Sequence, residues 1–151
     1  MIAMTVSRVE AESNDVEAYR ELRAKLWPMS AEENLRETSQ QLAASAKWAV
    51  FLARDNDGTA LGFLEVRLRE YAEGASSSPV GFLEGWYVAE RVRKQGVGRK
   101  LVAAGEGWAR SMGCTEMGSN TEIWRTGSIE AHLRLGYTEV ERDVTFLKKL
   151  R

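Results

Sequence analysis

Phe82-Leu83-Glu84-Gly85-Trp86-Tyr87-Val88 followed by Ala89-Glu90-Arg91-Val92-Arg93-Lys94-Gln95-Gly96-Val97-Gly98-Arg99-Lys100-Leu101 is the stretch on which the fold turns. It opens as a strand, Val80 to Val88, and closes as a helix, Gly98 to Met112. Val97, Leu101, Trp108 and Met112 share one face of that helix. Gly105 lies in the same stripe. It and Gly107 each cost roughly 1 kcal/mol against Ala in a helix interior, which suggests close packing of helix on sheet. Between strand and helix runs the turn Arg93 to Gly98. A helix start leaves four backbone N–H groups unpaired and carries a partial positive charge. Glycines let the backbone wrap closely around an anion. Arg91, Arg93, Lys94, Arg99 and Lys100 add side-chain charge, so the turn reads as a diphosphate cradle. It is neither the Walker A pattern G-x-x-x-x-G-K-[ST] nor the dinucleotide fingerprint G-x-G-x-x-G.

Outward from this turn the chain alternates strands and helices. Thr5 to Val9 reads as a first strand. Asn14 with Glu17 has capping-box spacing, and the helix after it puts Tyr19, Leu22 and Leu26 on one face until Pro28 stops it. Ser30 with Glu33 opens a second helix, to about Ala44, whose thin apolar face (Leu35, Leu42) predicts a surface position. Trp48 to Ala53 and Leu61 to Leu68 flank the turn Asp55-Asn56-Asp57-Gly58 and read as a hairpin. Glu70 to Pro79 is a polar loop. Glu116 to Asn120 is a short strand, Ser128 to Leu135 a helix ended by Gly136, and Tyr137 to Glu141 with Val144 to Leu150 a final strand pair. The order predicts a single α/β domain over residues 1–151, a mixed sheet flanked by helices.

Bulk properties narrow the class. The 151 residues fit one domain, 44% are hydrophobic, and 28% are charged with a net charge of -1. That balance gives no global field for nucleic acid. Cys114 is the sole cysteine, which suits a reducing compartment. One Cys and one His make a structural zinc site implausible, so no metal is expected. The start, Met1 to Ala11, is too short and polar for a signal peptide. No apolar run approaches the roughly 20 residues that span a bilayer. A cytoplasmic protein without membrane attachment is expected.

Arg93 to Gly98 also satisfies every fixed position of Q/R-x-x-G-x-G/A, and here the chain resembles the GCN5-related N-acetyltransferase (GNAT) superfamily over nearly its whole length. The resemblance implies acetyl-CoA as cosubstrate, with its pyrophosphate on Arg93, Lys94, Gln95, Gly96, Val97, Gly98 and Arg99. It implies a strand before the signature that splays at a bulge. Gly85 is the expected bulge, since lone strand glycines often mark one. The backbone of Trp86, Tyr87 and Val88 would then face the coenzyme and stabilise a developing oxyanion.

Three further segments resemble the aminoglycoside 6′-N-acetyltransferase branch. They are Arg23 to Pro28, Tyr71 with Ser77 to Gly85, and His132 to Arg142. By this resemblance Trp27, Tyr71, Glu84 and Glu141 line the aminoglycoside pocket. A polycation calls for carboxylates and flat rings. On the expected last strands Glu139, Glu141 and Asp143 would share one face. Two positions depart from the branch. Asn120 stands where it has a substrate-contacting aspartate, and Arg125 where it has a coenzyme-contacting asparagine. The resemblance implies direct attack of a primary amine on the thioester. Glu84 would accept the proton through water or select the ammonium form for binding. His132, four residues before Gly136, stands where many relatives have a tyrosine that protonates the leaving thiolate. Cys114 has no paired histidine and reads as core. A homodimer pairing through Tyr137 to Leu150 is expected by analogy. A polyamine, peptide or metabolite amine remains open as acceptor, and so does a non-catalytic coenzyme A sensor.

Overall fold

The computed structural model describes Ile2–Arg151; Met1, and any reading that includes it, lies outside the described residues. The chain divides into two compact units, Met1–Ser119 and Asn120–Arg151.

The first unit holds a sheet of five strands among the described residues. These are β1 (Met4–Arg8), β2 (Trp48–Asp55), β3 (Ala60–Arg69), β4 (Val80–Val88) and β5 (Met117–Ser119), in that spatial order. Neighbours are antiparallel except β4 and β5, which run parallel. The sheet is thus mixed, as expected. The helices of this unit are α1 (Asp15–Leu26), α2 (Ala31–Ala43) and α3 (Val97–Ser111), and a short 3-10 turn covers Glu90–Val92.

The central strands β2 and β3 and the first half of β4 are buried on both faces because helices cover both. Phe63 and Glu65 of β3 face α1, where Tyr19 meets Phe63 edge-on at 5.4 Å and hydrogen-bonds Glu65. Leu64 and Val66 face α3. A Cβ on Gly105 would lie 2.5 Å from Leu64 and 2.7 Å from Val66, so this glycine does mark close helix–sheet contact. Gly107 has nothing within 4 Å of its missing Cβ, and no packing explains it. Met112 is exposed rather than in the stripe, because α3 ends at Ser111.

Local signals fare unevenly. Ser30 caps α2 by accepting the Glu33 N–H at 3.1 Å. The expected box at Asn14 does not form. Asn14 is itself helical in backbone, and Ser13 Oγ accepts the Asp15 N–H instead. Helix α2 is tied to α1 through buried polar groups: Arg20 donates to Thr38, and Asn34 donates to the Arg20 carbonyl.

The second unit contains α4 (Thr126–Arg134), closed by Gly136 at φ 91°. The strand pair expected over Tyr137–Glu141 and Val144–Leu150 is absent. Strands exist only as hydrogen-bonded ladders, and among the described residues the sheet takes in none of 137–151.

Candidate functional site

Strand β4 changes character at its middle. Its register against β3 slips between Glu65 and Val66, which oppose Gly85 and Leu83, so Glu84 is the extra residue of a bulge. On its other edge β4 pairs with β5 only at Gly81, Phe82 and Leu83. Among the described residues no strand continues that edge beyond Leu83. The bulge falls at Glu84, one residue before the expected Gly85, and the pairing of β4 with β5 stops just ahead of it.

After the 3-10 turn the chain enters the glycine turn. Lys94 (φ 62°) and Gly96 (φ 91°) are left-handed, and Gly96 forms the N-cap of α3. Lys100 N–H closes the first helical turn on the Gly96 carbonyl at 3.1 Å. The N–H groups of Val97, Gly98 and Arg99 therefore have no intrahelical partner. This geometry fits an anion: a concave run of backbone amides at a helix start, ringed by the exposed Arg91, Arg93, Lys94, Arg99 and Lys100. Gly98 has a reason the pattern alone does not reveal. A Cβ there would lie 2.9 Å from Trp86 Cζ2, so the indole lies directly on the helix start. Arg93 is braced by donating Nε to the Val88 carbonyl at 2.9 Å, and its guanidinium lies 5.8 Å from the Tyr87 ring centroid. Gln95 donates to the Arg91 carbonyl at 3.3 Å.

The acceptor-side residues of this unit fall on three elements. Trp27 ends α1 in an extended conformation, as Pro28 demands. Its ring lies against Gly85, where a Cβ would be 2.5 Å from Cη2. Tyr71 is largely exposed on the loop after β3. Glu84 is not a solitary buried carboxylate. Its Oε1 accepts from Arg69 Nε at 2.7 Å, with Nη2 at 2.5 Å and Arg67 Nε at 3.6 Å. The Arg69 guanidinium in turn covers the Phe82 ring at 3.6 Å.

The remaining candidates belong to the second unit. His132 Nδ1 lies 2.7 Å from the Ser128 carbonyl, and its ring meets Tyr137 edge-on. A ring whose Nδ1–H donates to that carbonyl can donate through Nε2 only as imidazolium. Asn120 is exposed, and Arg125 pairs with Glu122 at 2.8 Å. Glu139, Glu141 and Asp143 do not share a strand face, since no strand forms there; Glu139 pairs with Arg142 instead. In the first unit Cys114 is buried, and desolvation pushes its thiol up, away from nucleophilic use.

Sequence reading passed over one cluster. Glu65 is 1% exposed and Arg23 is 4% exposed; they pair at 2.7 Å. Burial holds the Glu65 carboxyl above its usual range, opposed by Arg23 and by the Tyr19 hydroxyl. The signal was a single glutamate in the apolar run Leu61 to Leu68, which is costly unless partnered.

This strand, bulge, glycine turn and helix make the arrangement expected of an acyl-coenzyme A transferase. The profile of the Acetyltransferase (GNAT) family matches residues 16–137, and the chain belongs to that family. An aminoglycoside N(6′)-acetyltransferase type 1 from Stenotrophomonas maltophilia is 46% identical, over 97% of this chain and 95% of that protein. A protein of the same description from Serratia marcescens is 41% identical over 94% and 98%. Among solved structures, AAC(6′)-Iy in complex with the bisubstrate analogue CoA-S-monomethyl-acetylneamine superposes with a TM-score of 0.90. It is 35% identical and the match covers 97% of this chain and 99% of that one. No helix of the described residues is long and apolar enough to cross a membrane.

Proposed function

We propose that the chain transfers the acetyl group of acetyl-coenzyme A to the 6′-amine of aminoglycoside antibiotics, and so confers resistance in the cytoplasm. The amine nitrogen, once it has lost a proton, bonds to the thioester carbonyl carbon. The carbon–sulfur bond breaks and the thiolate leaves, taking up a proton. Turn residues Arg93 to Arg99 hold the pyrophosphate, and Arg125 adds a coenzyme contact. The backbone at Trp86, Tyr87 and Val88 faces the acetyl and pantetheine arm. Trp27, Tyr71, Glu84, Asn120 and Glu141 receive the drug. Glu84 accepts or relays the amine proton, and His132 as imidazolium protonates the thiolate. One domain over residues 1–151 does this as a homodimer.

The observation that carries the reading is the adjacency, along β4, of the bulged carboxylate Glu84 to an amide-lined turn opening α3. It is supported by relatives whose described activity is on the 6′-amine and by a family profile that spans both compact units. The deciding experiment is steady-state acetyl-coenzyme A consumption with kanamycin, tobramycin, a kanamycin carrying 6′-hydroxyl, spermidine and a lysine peptide. Turnover of the two drugs, lost with the 6′-hydroxyl compound, is expected. Turnover of spermidine or peptide alone would overturn the acceptor and direct attention to Asn120 and Arg125. No turnover at all would favour a coenzyme sensor.

A further inference from the structure

Four groups form a closed circuit at the β4 bulge. Glu65 of β3 is the register partner of Gly85 on β4. Gly85 touches the Trp27 ring: a Cβ there would lie 2.5 Å from Cη2, 3.1 Å from Cζ3 and 3.3 Å from Glu65 Oε1. The Trp27 ring in turn carries the Arg23 guanidinium at 4.9 Å from its centroid. Arg23 returns to Glu65 Oε2 through Nε at 2.7 Å.

Every edge of the Arg23 plane is engaged. Nη1 donates to Asn34 at 3.2 Å and approaches Met29 Sδ at 3.3 Å, and Nη2 donates to Glu37 at 2.8 Å. The same Glu65 oxygen takes the Tyr19 hydroxyl, which lies 2.9 Å from Gln41 Oε1. A guanidinium held through all three nitrogens restrains the ring that lies against it. An apolar pair of similar size would hold α1 to the sheet as well, since buried ion pairs are a weak source of stability. What the charged pair adds is orientation.

We propose that Arg23 and Glu65 are positioning residues for acceptor recognition, which with Gly85 clamp the Trp27 indole against the β4 bulge. This rests on the proposed function, in which Trp27 is a wall of the aminoglycoside pocket. Gly85 is glycine for the ring rather than for the backbone, because its φ is not in the left-handed region. An added methyl presses chiefly on the indole, which must move, while Glu65 Oε1 at 3.3 Å has to yield only slightly.

The test uses the full chain with Gly85→Ala and Arg23→Lys, each alone and combined with Trp27→Ala. Steady-state constants are measured for kanamycin and for acetyl-coenzyme A. The near-ultraviolet circular dichroism of Trp27 is isolated as the difference between wild type and Trp27→Phe. Gly85→Ala and Arg23→Lys are each expected to raise the kanamycin KM about tenfold, with the acetyl-coenzyme A KM within about twofold, and to diminish the Trp27 band. In the Trp27→Ala background the same substitutions should change kanamycin kcat/KM by less than about twofold, because what they displace is already gone. Equal effects with and without Trp27 overturn the proposal, since the residues would then act on the fold and not through the ring. An unchanged Trp27 band in both variants also overturns it. If the wild type turns over no aminoglycoside, the functional reading has failed; the band, which needs no substrate, still decides the clamp. If Arg23→Lys does not fold, Gly85→Ala decides alone.

Discussion

Glu84, proposed to receive an ammonium group, already holds a cation in the resting protein. The carboxylate assigned to an ammonium group is held by Arg69 at 2.5 Å and approached by Arg67 at 3.6 Å. A cationic acceptor must therefore displace or share with a cation already there. Arg69 is partly exposed, so its hold is modest, on the order of 0.2–1 kcal/mol for such pairs. Arg69→Gln is accordingly expected to lower the kanamycin KM roughly 1.4–5-fold. Glu84→Gln should raise that KM, and Arg69→Gln should have no effect once Glu84 is gone. An Arg69→Gln enzyme with an unchanged or higher KM would mean that Arg69 helps bind the drug, or that Glu84 does not face it. The same scale explains the glycines of the signature. Gly96 is needed for its left-handed backbone, while Gly98 is needed because Trp86 occupies the space a side chain would take.

Elements differ in how they are fastened: in the loop Glu70 to Pro79, Ala72 is buried against Val80 and Phe82, and the serine end is held by Glu116. Glu116 accepts the Ser76 N–H at 2.9 Å, the Ser77 N–H at 2.8 Å and the Ser77 hydroxyl. These bonds, the Ser77 hydroxyl first, hold its carboxyl below the ordinary 4.5. A carboxyl lowered in the folded state stabilises fully above its unfolded value and loses that contribution as pH falls through the lowered one. The loop bearing Tyr71 should therefore loosen only in acid, below about pH 4.5, and become more open to amide exchange there. In NMR titrations the Ser76 and Ser77 amide shifts should follow one proton, and Glu116→Gln should abolish that transition. A transition at or above the ordinary value would show that the bonds do not persist in solution. Local chemistry of this kind sets what the sequence makes legible. The hairpin of β2 and β3 and the turn before α3 were readable, because Asp55 to Gly58 and Arg93 to Gly98 each act within a few residues. The pairing of Arg23 with Glu65 was not, because 42 positions separate them. The Asn14 box failed for the opposite reason: its neighbour Ser13 offered an oxygen to the same helix start. The residues over Tyr137 to Leu150 have strand-like composition, but composition does not supply a partner edge.

At the scale of the whole molecule that missing edge bears on assembly. Residues 137–151 leave Val140, Val144, Phe146, Leu147 and Leu150 exposed, with Phe146 at 89% and Leu147 at 91%. So much exposed apolar surface in one segment is unusual for a monomer. In a two-fold homodimer, Phe146, Leu147 and Leu150 from both chains, at ~1.5–3 kcal/mol each, would contribute ~9–18 kcal/mol when fully buried. Association costs ~4–15 kcal/mol, so a dimer lies within reach of these six side chains. The backbone adds to the argument, since a segment outside the sheet gains a ladder by joining a strand of the second copy. Sedimentation of the full chain at micromolar concentration should therefore give a dimer. Phe146→Glu with Leu147→Glu should shift it to monomer and lower the melting temperature, and the wild type's melting temperature should fall on dilution while the variant's does not. A wild type that sediments as a monomer across that range would remove the homodimer, and the apolar tail would then need a cover from elsewhere in its own chain.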